Sequence, residues 1–177
     1  MHVNALEQVW VWIVGILTAA MLGVIFYTAF AIGQGGLHPP SNVETIDSSA
    51  LHLSDEFAEA NLGVKRGEDG TIHITMVGAK YGFYPQEVVV PVDTPVTLRM
   101  ASADTIHGFH VKGSNMASML IPGYVSEVST VFKQTGEFPM FCNEYCGVGH
   151  HYMWSRFRVV SQDEFDANDI AMVGGAN

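Results

Sequence analysis

Hydrophobic residues follow two different patterns along the chain. Residues 9–32 provide 24 consecutive side chains without a charge, whereas about 20 apolar residues suffice for a helix to cross a bilayer. From residue 71 onward the period changes to two, because Ile72, Ile74 and Met76 alternate with polar neighbours. Such alternation is typical of half-buried strands. The pattern therefore predicts one transmembrane helix followed by a domain built from β-strands.

Further short apolar runs extend the predicted β-structure. Gly, Pro and Asn residues, which favour turns, separate these runs. The predicted strands occupy residues 88–90, 96–100, 125–132, 138–142 and 157–160. Around the last run, Arg156 and Arg158 are expected to face solvent. Several short strands with turns between them indicate a sandwich or a barrel.

The apolar segment shares one feature with a cleaved secretory signal, because residues 29–31 (Ala-Phe-Ala) have the small-x-small pattern of a cleavage site. A signal peptide has a basic leading region and an apolar core of about 7–15 residues. Here the leader, residues 1–8, contains no Lys or Arg, and the apolar core is far longer. We therefore expect a retained anchor, with the rings of Trp10, Trp12 and Tyr27 near the membrane interfaces.

Composition divides the rest of the chain. Residues 33–42 are rich in Gly and Pro, and residues 43–70 contain seven acids and two bases. We interpret residues 33–70 as a linker and acidic connecting segment, in which Ser54 is placed to cap a short helix. Residues 71–160 form the predicted domain. Residues 161–177 carry four acids and no base, so they form a solvated tail or a weak helix.

Both cysteines lie in one segment together with other soft metal ligands. Cys142, Cys146, His150 and Met153 fall within twelve residues. Thiolate and thioether groups select copper(I), zinc or iron–sulfur, while imidazole suits copper and zinc. Zinc sites are built from Cys, His and carboxylate ligands rather than Met, so the mixture favours copper. A disulfide between the two cysteines is the alternative in an exported domain, although three intervening residues would close a tight ring.

A histidine motif precedes this segment. Asp104 and His107 lie in residues 104–110 (DTIHGFH), at the end of the strand predicted over residues 96–100. This D-x-x-H and the later C-x-E-x-C-x-x-x-H-x-x-M together resemble the CuA domain of cytochrome c oxidase subunit II. The resemblance covers about residues 71–160, and the single helix is similar to that of the B-type oxidase branch.

The resemblance implies a mainly β fold, a cupredoxin-like Greek-key β-sandwich preceded by one N-terminal transmembrane helix. It also implies a dinuclear copper centre, CuA, whose two copper ions are bridged by the cysteine sulfurs. The implied ligands are His107, Cys142, the backbone carbonyl of Glu144, Cys146, His150 and Met153. In mitochondrial-type relatives the side chain at the position of Glu144 also reaches a magnesium ion at the interface with the large subunit. B-type relatives often lack this carboxylate, so magnesium at Glu144 is left open.

Other residues near the motif are expected to have different roles. His110 and His151 lie next to implied ligands but off the spacing of the motif. We expect them to orient ligating groups or to lie at the surface. Met116 and Met119 adjoin apolar residues and are expected to fill the core rather than to form a second metal site.

The resemblance also indicates where an electron donor docks. Residues 81–84 correspond to an aromatic region near the copper, which makes Tyr81 and Phe83 candidate docking residues, although Phe83 can equally be a core residue. Asp104 is the acid expected nearest this surface. Because 17 of the 18 acids and all eight bases follow residue 43, that part of the chain carries a formal charge of −9. A basic cytochrome c is the expected donor, and the alternative is that the acids only solvate the protein.

The function implied is that of the electron-accepting subunit of a terminal respiratory oxidase. Electrons pass from cytochrome c through CuA to the haem of the large subunit, which alone carries haem and reduces O2 to water. The implied location is the cell inner (plasma) membrane, with the C-terminal domain periplasmic, and no nucleic acid is an expected partner. A CuA subunit of a nitric oxide reductase and a membrane-anchored copper-delivery cupredoxin are the alternatives. The length of the chain and its anchor exclude a whole nitrous oxide reductase.

Overall fold

The computed structural model describes residues 4–30 and 44–168. The chain divides into two compact units, Met1–Leu37 and His38–Asn177. The predicted linker residues 33–42 and the end of the predicted tail, residues 169–177, lie outside the described residues. The first unit contains the helix α1 (Ala5–Phe30), and the second contains β-strands and a short C-terminal helix, α2 (Gln162–Asn168). A mostly β domain after an apolar helix confirms the predicted fold class.

Helix α1 begins at a capped end. The Asn4 side chain accepts a hydrogen bond from the Leu6 amide at 3.2 Å, and the Glu7 carboxylate accepts one from the Asn4 amide at 3.0 Å. This reciprocal pair is a capping box, which satisfies amides that have no partner within the helix. The helix therefore starts at Ala5, before the predicted residue 9.

The apolar residues of α1 are distributed around the whole helix. Residues Ala5–Tyr27 are long and apolar enough to cross a membrane, and their apolar window is not buried within the protein. At 1.5 Å per residue these 23 residues span about 35 Å, against a hydrocarbon core of about 30 Å. A helix that is apolar all round belongs in a large core or in a membrane, so α1 fits a single membrane span.

The second unit is built from two five-stranded sheets. The first sheet contains β1 (Gly63–Arg66), β2 (Ile72–Ala79), β3 (Gly82–Tyr84), β5 (Pro95–Ser102) and β8 (Val125–Val131). The second contains β4 (Glu87–Pro91), β6 (His107–Val111), β7 (Ala117–Leu120), β9 (Gly136–Phe141) and β10 (Trp154–Val160). The strand orders are β1-β2-β5-β8, with β3 also paired to β2, and β4-β10-β9-β6-β7. Pairs β2–β5 and β4–β10 are parallel, and the other pairs are antiparallel.

One hydrophobic core joins the two sheets. The alternating residues Ile72, Ile74 and Met76 of β2 are fully buried, and they lie beside the equally buried apolar residues of β5. Phe109 of β6 and Phe157 of β10 supply large side chains from the second sheet. Since successive side chains of a strand point to opposite faces, the period-two pattern correctly identifies the inward faces of β2 and β5.

The sequence pattern does not reveal four of the described strands, β1, β3, β6 and β7. Strand β1 pairs with β2 although residues 63–66 lie in the predicted connecting segment. His107 begins β6, so its predicted position at the end of the preceding strand is wrong, because β5 ends at Ser102 and a turn follows. These strands are short and mix polar with apolar residues, so pairing partners rather than their own pattern determine them.

Residues 44–62, called here the strap, cover the outer face of the first sheet. Leu51 and Phe57 of the strap are buried, and they form a second apolar cluster with Val77, Ala101 and Val125 of β2, β5 and β8. In these strands the cluster residues alternate with those that face the main core. The predicted acidic connecting segment therefore includes a packed layer of the domain.

Ser54 has the predicted hydrogen-bonding role without the predicted helix. Its Oγ accepts hydrogen bonds from the Glu56 and Phe57 amides, both at 3.2 Å. Residues 55–57 form a turn, however, so the prediction of a helix there is wrong. The helical segments of the strap are 3-10 turns at Ser48–Leu53 and Glu59–Asn61, and the first is capped by the Asp47 carboxylate.

Arg99 links the strap to the sheet through three glutamates. Its guanidinium group bonds Glu56 at 2.6 Å, Glu127 at 2.7 Å and Glu44 at 2.8 Å. Glu44 and Glu56 belong to the strap, whereas Glu127 is the partner of Arg99 on β8. The hydrogen bond to Glu56, above all, raises the pKa of Arg99 above its ordinary value. The cation therefore clamps the strap onto the outer face of the sheet.

The start of the predicted tail packs against the domain. Helix α2 buries Phe165, and the Arg66 guanidinium carbon lies 5.1 Å from the centre of that ring. Arg66 also forms an ion pair of 2.5 Å with Asp166. The sequence predicts either a solvated tail or a weak helix here, and residues 162–168 form a helix.

Replacing Arg99 with Met should lower the free energy of unfolding by about 2–4 kcal/mol, because three carboxylates would then face one another without a cation. The loss should shrink near about pH 4, where carboxylates begin to bind protons. Urea denaturation of the detergent-solubilised chain measures it. The control is Lys133→Met, which removes an exposed ion pair with Asp93 and should cost no more than about 0.5 kcal/mol. Equal losses in both variants would contradict the clamp.

Candidate metal centre

The cysteine-containing segment is a closed loop between two neighbouring strands. It leaves β9 after Phe141 and returns to β10 at Trp154, and these two residues are partners across the ladder. The Cys142 amide donates to the Met153 carbonyl at 3.1 Å, which joins the two ends of the loop. Residues 142–153, called here the ligand loop, are therefore held at the end of the second sheet.

The soft side chains of the ligand loop point toward one another. The Cys142 and Cys146 sulfurs are 3.9 Å apart, and the Cys146 sulfur lies 3.7 Å from both His150 Nδ1 and Met153 Sδ. Cys142, Cys146 and Met153 are buried. A disulfide has a sulfur–sulfur distance of about 2.05 Å, and both cysteines are free. The structure therefore has convergent thiols rather than the alternative disulfide.

His107 completes the cluster from the neighbouring strand β6. Its imidazole is fully buried, and Nε2 lies 2.8 Å from Asp104 Oδ1. Within the described residues, His107 Nδ1 is the buried side-chain nitrogen or oxygen atom that has no hydrogen-bond partner. One ligand atom each from His107, Cys142 and Cys146 lie within 4.8 Å of one another. The His107 imidazole thus lies close to both sulfurs.

Glu144 contributes its backbone to this arrangement. The Cys142 thiol donates to the Glu144 carbonyl at 3.2 Å, while the Glu144 residue itself is exposed. In the described part of the chain, the group of His, Cys, Asp or Glu side chains close enough to hold a metal ion comprises His107, Cys142 and Cys146. The Glu144 carboxylate therefore lies outside that group.

Burial and charge shape the ionisation of two groups. Burial raises the pKa of the Cys146 thiol to about 11, and the adjacent Cys142 adds to the rise. Partial burial opposes ionisation of Asp104, but hydrogen bonds from His107 and from the amides of Lys80 and Thr105 outweigh it and lower its pKa. Asp104 is therefore an ionised acceptor that fixes Nε2 of His107 as the donor.

The residues present fit a copper centre. Two thiols, two imidazole nitrogens and a thioether form a soft donor set, which selects copper over hard cations. The unpartnered Nδ1 atom of His107 provides an independent indication, because a buried polar atom without a partner is costly. All six groups predicted as ligands, including the Glu144 carbonyl, lie in this cluster or bond to a member of it.

The remaining sequence candidates lie outside the cluster. His110 and His151 are exposed, in agreement with the surface location that was one of their two expected roles. Met116 is fully buried, as predicted for a core residue. Met119 is 40% exposed, so its predicted core location is wrong, because its position on the short strand β7 alternates with the buried Leu120.

Two of the three candidate docking residues are accessible. Tyr81 and Asp104 are exposed, whereas Phe83 is fully buried and belongs to the main core. Phe83 therefore offers no surface to a docking partner, and the core interpretation of this residue is correct. The structure adds exposed residues that the sequence interpretation did not include, namely Tyr145, Val148 and Tyr152 of the ligand loop. Their positions in the sequence could have indicated this exposure, because these residues lie between side chains that point inward.

Comparison with known proteins identifies relatives of this domain. Residues 76–160 match the family described as cytochrome c oxidase subunit II, periplasmic domain. A cytochrome c oxidase subunit 2 from Thermus thermophilus is 31% identical over 133 residues, covering 75% of this chain and 79% of the relative. A second protein of the same name and species is 31% identical over 124 residues, covering 70% of this chain and 92% of the relative.

Solved structures share the architecture. A chain of a haem-copper terminal oxidase dimer superimposes with a TM-score of 0.67 at 24% identity, covering 87% of this chain and 99% of that chain. The periplasmic domain of subunit II of cytochrome oxidase from Bradyrhizobium japonicum has a TM-score of 0.50 at 26% identity, covering 54% and 88%. The β-sandwich is thus cupredoxin-like, as the sequence resemblance implies.

The copper affinity of the metal-free chain should rise with pH through the neutral range. Copper binds thiolates, and the pKa of Cys146, about 11, keeps this group protonated at neutral pH. Each proton released on binding should change the apparent affinity by ~10-fold per pH unit. Calorimetric titration in buffers of different protonation enthalpy counts these protons, and Cys146→Ser should release fewer. An affinity that stays constant with pH would contradict the assignment of Cys146 as a ligand.

Proposed function

Because this chain belongs to the cytochrome c oxidase subunit II family, we propose that it accepts electrons from cytochrome c or a similar soluble donor at a dinuclear CuA centre. From there the electrons pass to the haem of the large subunit, where O2 is reduced to water. The family and the fold support the coarser assignment, a subunit of a haem-copper oxidase with a large-subunit partner. The donor, the dinuclear centre and the route of the electrons are the proposal.

The observation that carries this proposal is the convergence of two free thiols on a buried imidazole, His107, whose Nδ1 atom has no hydrogen-bond partner among the described residues. A mononuclear blue copper site uses a single cysteine, whereas here Cys142 and Cys146 lie side by side and the His107 imidazole is close to both. A pair of thiolates can bridge a pair of metal ions. The side chains therefore support a dinuclear centre rather than a mononuclear one.

Each proposed ligand has a distinct role. Cys142 and Cys146 would bridge the ions, His107 and His150 would each supply Nδ1, and Met153 and the Glu144 carbonyl would be weak outer ligands. When bound, CuA shares one electron between two coppers through the thiolates, so that reduction changes each ion little. Asp104 orients His107 by accepting from Nε2, as partners of metal-binding histidines commonly do. Burial of Cys142, Cys146 and Met153 keeps water from the sulfurs.

The surface next to the ligand loop suits a docking electron donor. Tyr145, Val148 and Tyr152 are 74%, 85% and 72% exposed. Tyr145 and Tyr152 directly precede Cys146 and Met153, and Val148 lies between Cys146 and His150. Of the three residues expected at the docking surface, Tyr81 and Asp104 are exposed, whereas Phe83 is buried. Aromatic and apolar side chains are enriched at the centres of protein interfaces. We propose that the donor contacts this surface.

Magnesium at Glu144 is a separate part of the proposal. Mg²⁺ needs several oxygen ligands in octahedral geometry. The Glu144 carboxylate lies outside the candidate metal cluster of the described residues, so further protein oxygens would have to come from the large subunit. The exposed position of Glu144 is compatible with such a shared site.

The proposed location follows from the helix and the family. An N-terminal apolar helix with a periplasmic-type domain fits a single-pass membrane protein. We propose that the membrane is the cell inner (plasma) membrane and that the C-terminal domain lies on its periplasmic side. A soluble electron donor would reach the ligand loop from that side.

Copper loading of the full-length chain should produce an EPR spectrum with hyperfine structure from two equivalent copper nuclei. His107→Gln should abolish this pattern, because it removes the imidazole that adjoins both sulfurs. His110→Gln is the matched control, since this exposed histidine lies outside the cluster, and it should leave the spectrum unchanged. Hyperfine structure from a single copper nucleus in the unmodified chain would contradict the dinuclear centre.

Reduction of the copper-loaded chain by a basic cytochrome c should slow as salt concentration rises. The part of the chain after residue 43 carries a formal charge of −9, and complementary charge raises association rates by ~10–1,000-fold at low salt. The attraction is screened over about 8 Å at physiological ionic strength. Stopped-flow kinetics measure the bimolecular rate. A rate independent of salt would show that docking is apolar and that the acids serve only for solvation.

A further inference from the structure

We propose that Tyr81 is a positioning residue that holds the ligand loop in its metal-binding shape. Its ring lies against the backbone of Gly147 and Gly149. These are two of the three residues that connect Cys146 to His150. The inference rests on the proposed copper site, because its consequence is the geometry of His150 relative to Cys146. It assigns to Tyr81 a role that differs from contact with an electron donor.

Gly149 shows how closely the ring approaches the loop. A Cβ atom at Gly149 would have three Tyr81 ring atoms as its nearest neighbours, with Cε2 at 2.9 Å, Cγ at 2.5 Å and Cδ2 closer still. The Gly149 backbone has φ −87° and ψ 8°, so it lies outside the positive-φ region that favours glycine. The ring of Tyr81 is therefore the close neighbour that reserves this position for glycine.

Gly147 contacts the same side chain but differs in its backbone. A Cβ atom there would lie 2.7 Å from the Tyr81 hydroxyl oxygen and 3.2 Å from Cε1. Its φ of +130° lies in the region that side chains disfavour. Gly147 therefore needs to be glycine for two reasons, whereas Gly149 needs to be glycine for one.

The contact matters because few other groups cover this part of the loop. Val148, between the two glycines, is 85% exposed. The hydrogen bonds here are local: the His150 amide donates to the Gly147 carbonyl at 3.1 Å, and the Tyr152 amide donates to the Gly149 carbonyl at 2.9 Å. Tyr81 comes from the turn between β2 and β3, so it provides a support from the opposite sheet.

The same turn also contacts the other side of the proposed copper site. The Lys80 amide donates to Asp104 Oδ2 at 2.8 Å, and Asp104 Oδ1 lies 2.8 Å from His107 Nε2. Residues 80 and 81 thus contact the partner of one histidine and the loop of the other. The turn belongs to the first sheet and so supports, from the opposite layer, the two segments of the second sheet that carry His107 and His150.

Tyr81→Ala should lower the copper affinity of the full-length chain by ~10–100-fold, the range found when groups that orient metal ligands are removed. It should also change the copper hyperfine splitting. Tyr81→Phe keeps the ring that lies on Gly149 and should retain the affinity and the spectrum of the unmodified chain. Tyr84→Ala is the matched control, because this exposed tyrosine is not among the nearest neighbours at either glycine.

A size exchange provides the decisive test. Gly149→Ala should lose more copper affinity than Tyr81→Ala, because its methyl group meets the Tyr81 ring and displaces the loop. Adding Tyr81→Ala to Gly149→Ala should then restore part of that loss. Gly147→Ala should remain impaired when combined with Tyr81→Ala, because its positive φ is independent of the ring. Competition with a copper(I) chelator measures affinity, and EPR reports the site.

The outcomes separate this inference from the proposed function. Restoration at Gly149 but not at Gly147 would support the positioning role. If the unmodified chain shows the dinuclear spectrum but Tyr81→Ala binds copper normally, or Gly149→Ala is not restored, the positioning role is overturned and the copper site stands. If the unmodified chain binds no copper or a single ion, the proposed function itself fails.

Discussion

The hydrogen bond between His107 and Asp104 determines which ring nitrogen faces the interior of the site. Asp104 is an ionised acceptor, so Nε2 donates to it and Nδ1 is left as the free acceptor. Nδ1 is buried without a protein partner among the described residues. Burying such an atom costs free energy, and a metal ion bound there would offset the cost. The thiols of Cys142 and Cys146 lie close to this imidazole.

Strand pairing brings distant parts of the sequence to that nitrogen. Strand β6 carries His107 at its start and pairs with β9 through His110 and Val111. The ligand loop leaves the end of β9 and returns to β10, whose ladder with β9 begins at Trp154 and Phe141. A loop closed at both ends by a ladder has little freedom, so the sulfurs remain close although no disulfide joins them. Such a closed loop would reduce the conformational change needed to bind a metal ion.

The first sheet supports the site from the opposite layer. Its turn at residues 80–81 contacts Asp104 and the ligand loop, while the strap covers its outer face through an apolar cluster and the Arg99 network. Apolar groups are thus buried on both faces of this sheet. The aromatic residues of the ligand loop remain exposed, whereas Cys142, Cys146 and Met153 are buried, so buried sulfurs lie beneath a surface that would suit a partner. The proposed electron transfer would benefit from this arrangement, since a short path would connect the surface with the proposed centre.

The sequence by itself determined the features that local chemistry encodes. The charge-free run predicts α1, strict alternation predicts the inward faces of β2 and β5, and the spacing of two Cys, a His and a Met within twelve residues indicates soft-metal chemistry. These features can be predicted because residues close together in the sequence produce them. Ser54 shows their limit, because its capping hydrogen bonds form without the helix that usually follows.

Only the tertiary structure decided how separate segments meet. The acidic residues 44–62 become a packed strap because Leu51 and Phe57 find apolar partners on strands far along the chain. Phe83 lies in the core and Tyr81 lies at the surface, because Phe83 is on strand β3 and Tyr81 is in the turn before it. The seating of the Tyr81 ring on Gly149 depends on the distance between the two sheets. Sequence spacing carries no information on such distances, because they are set by the packing of side chains between layers.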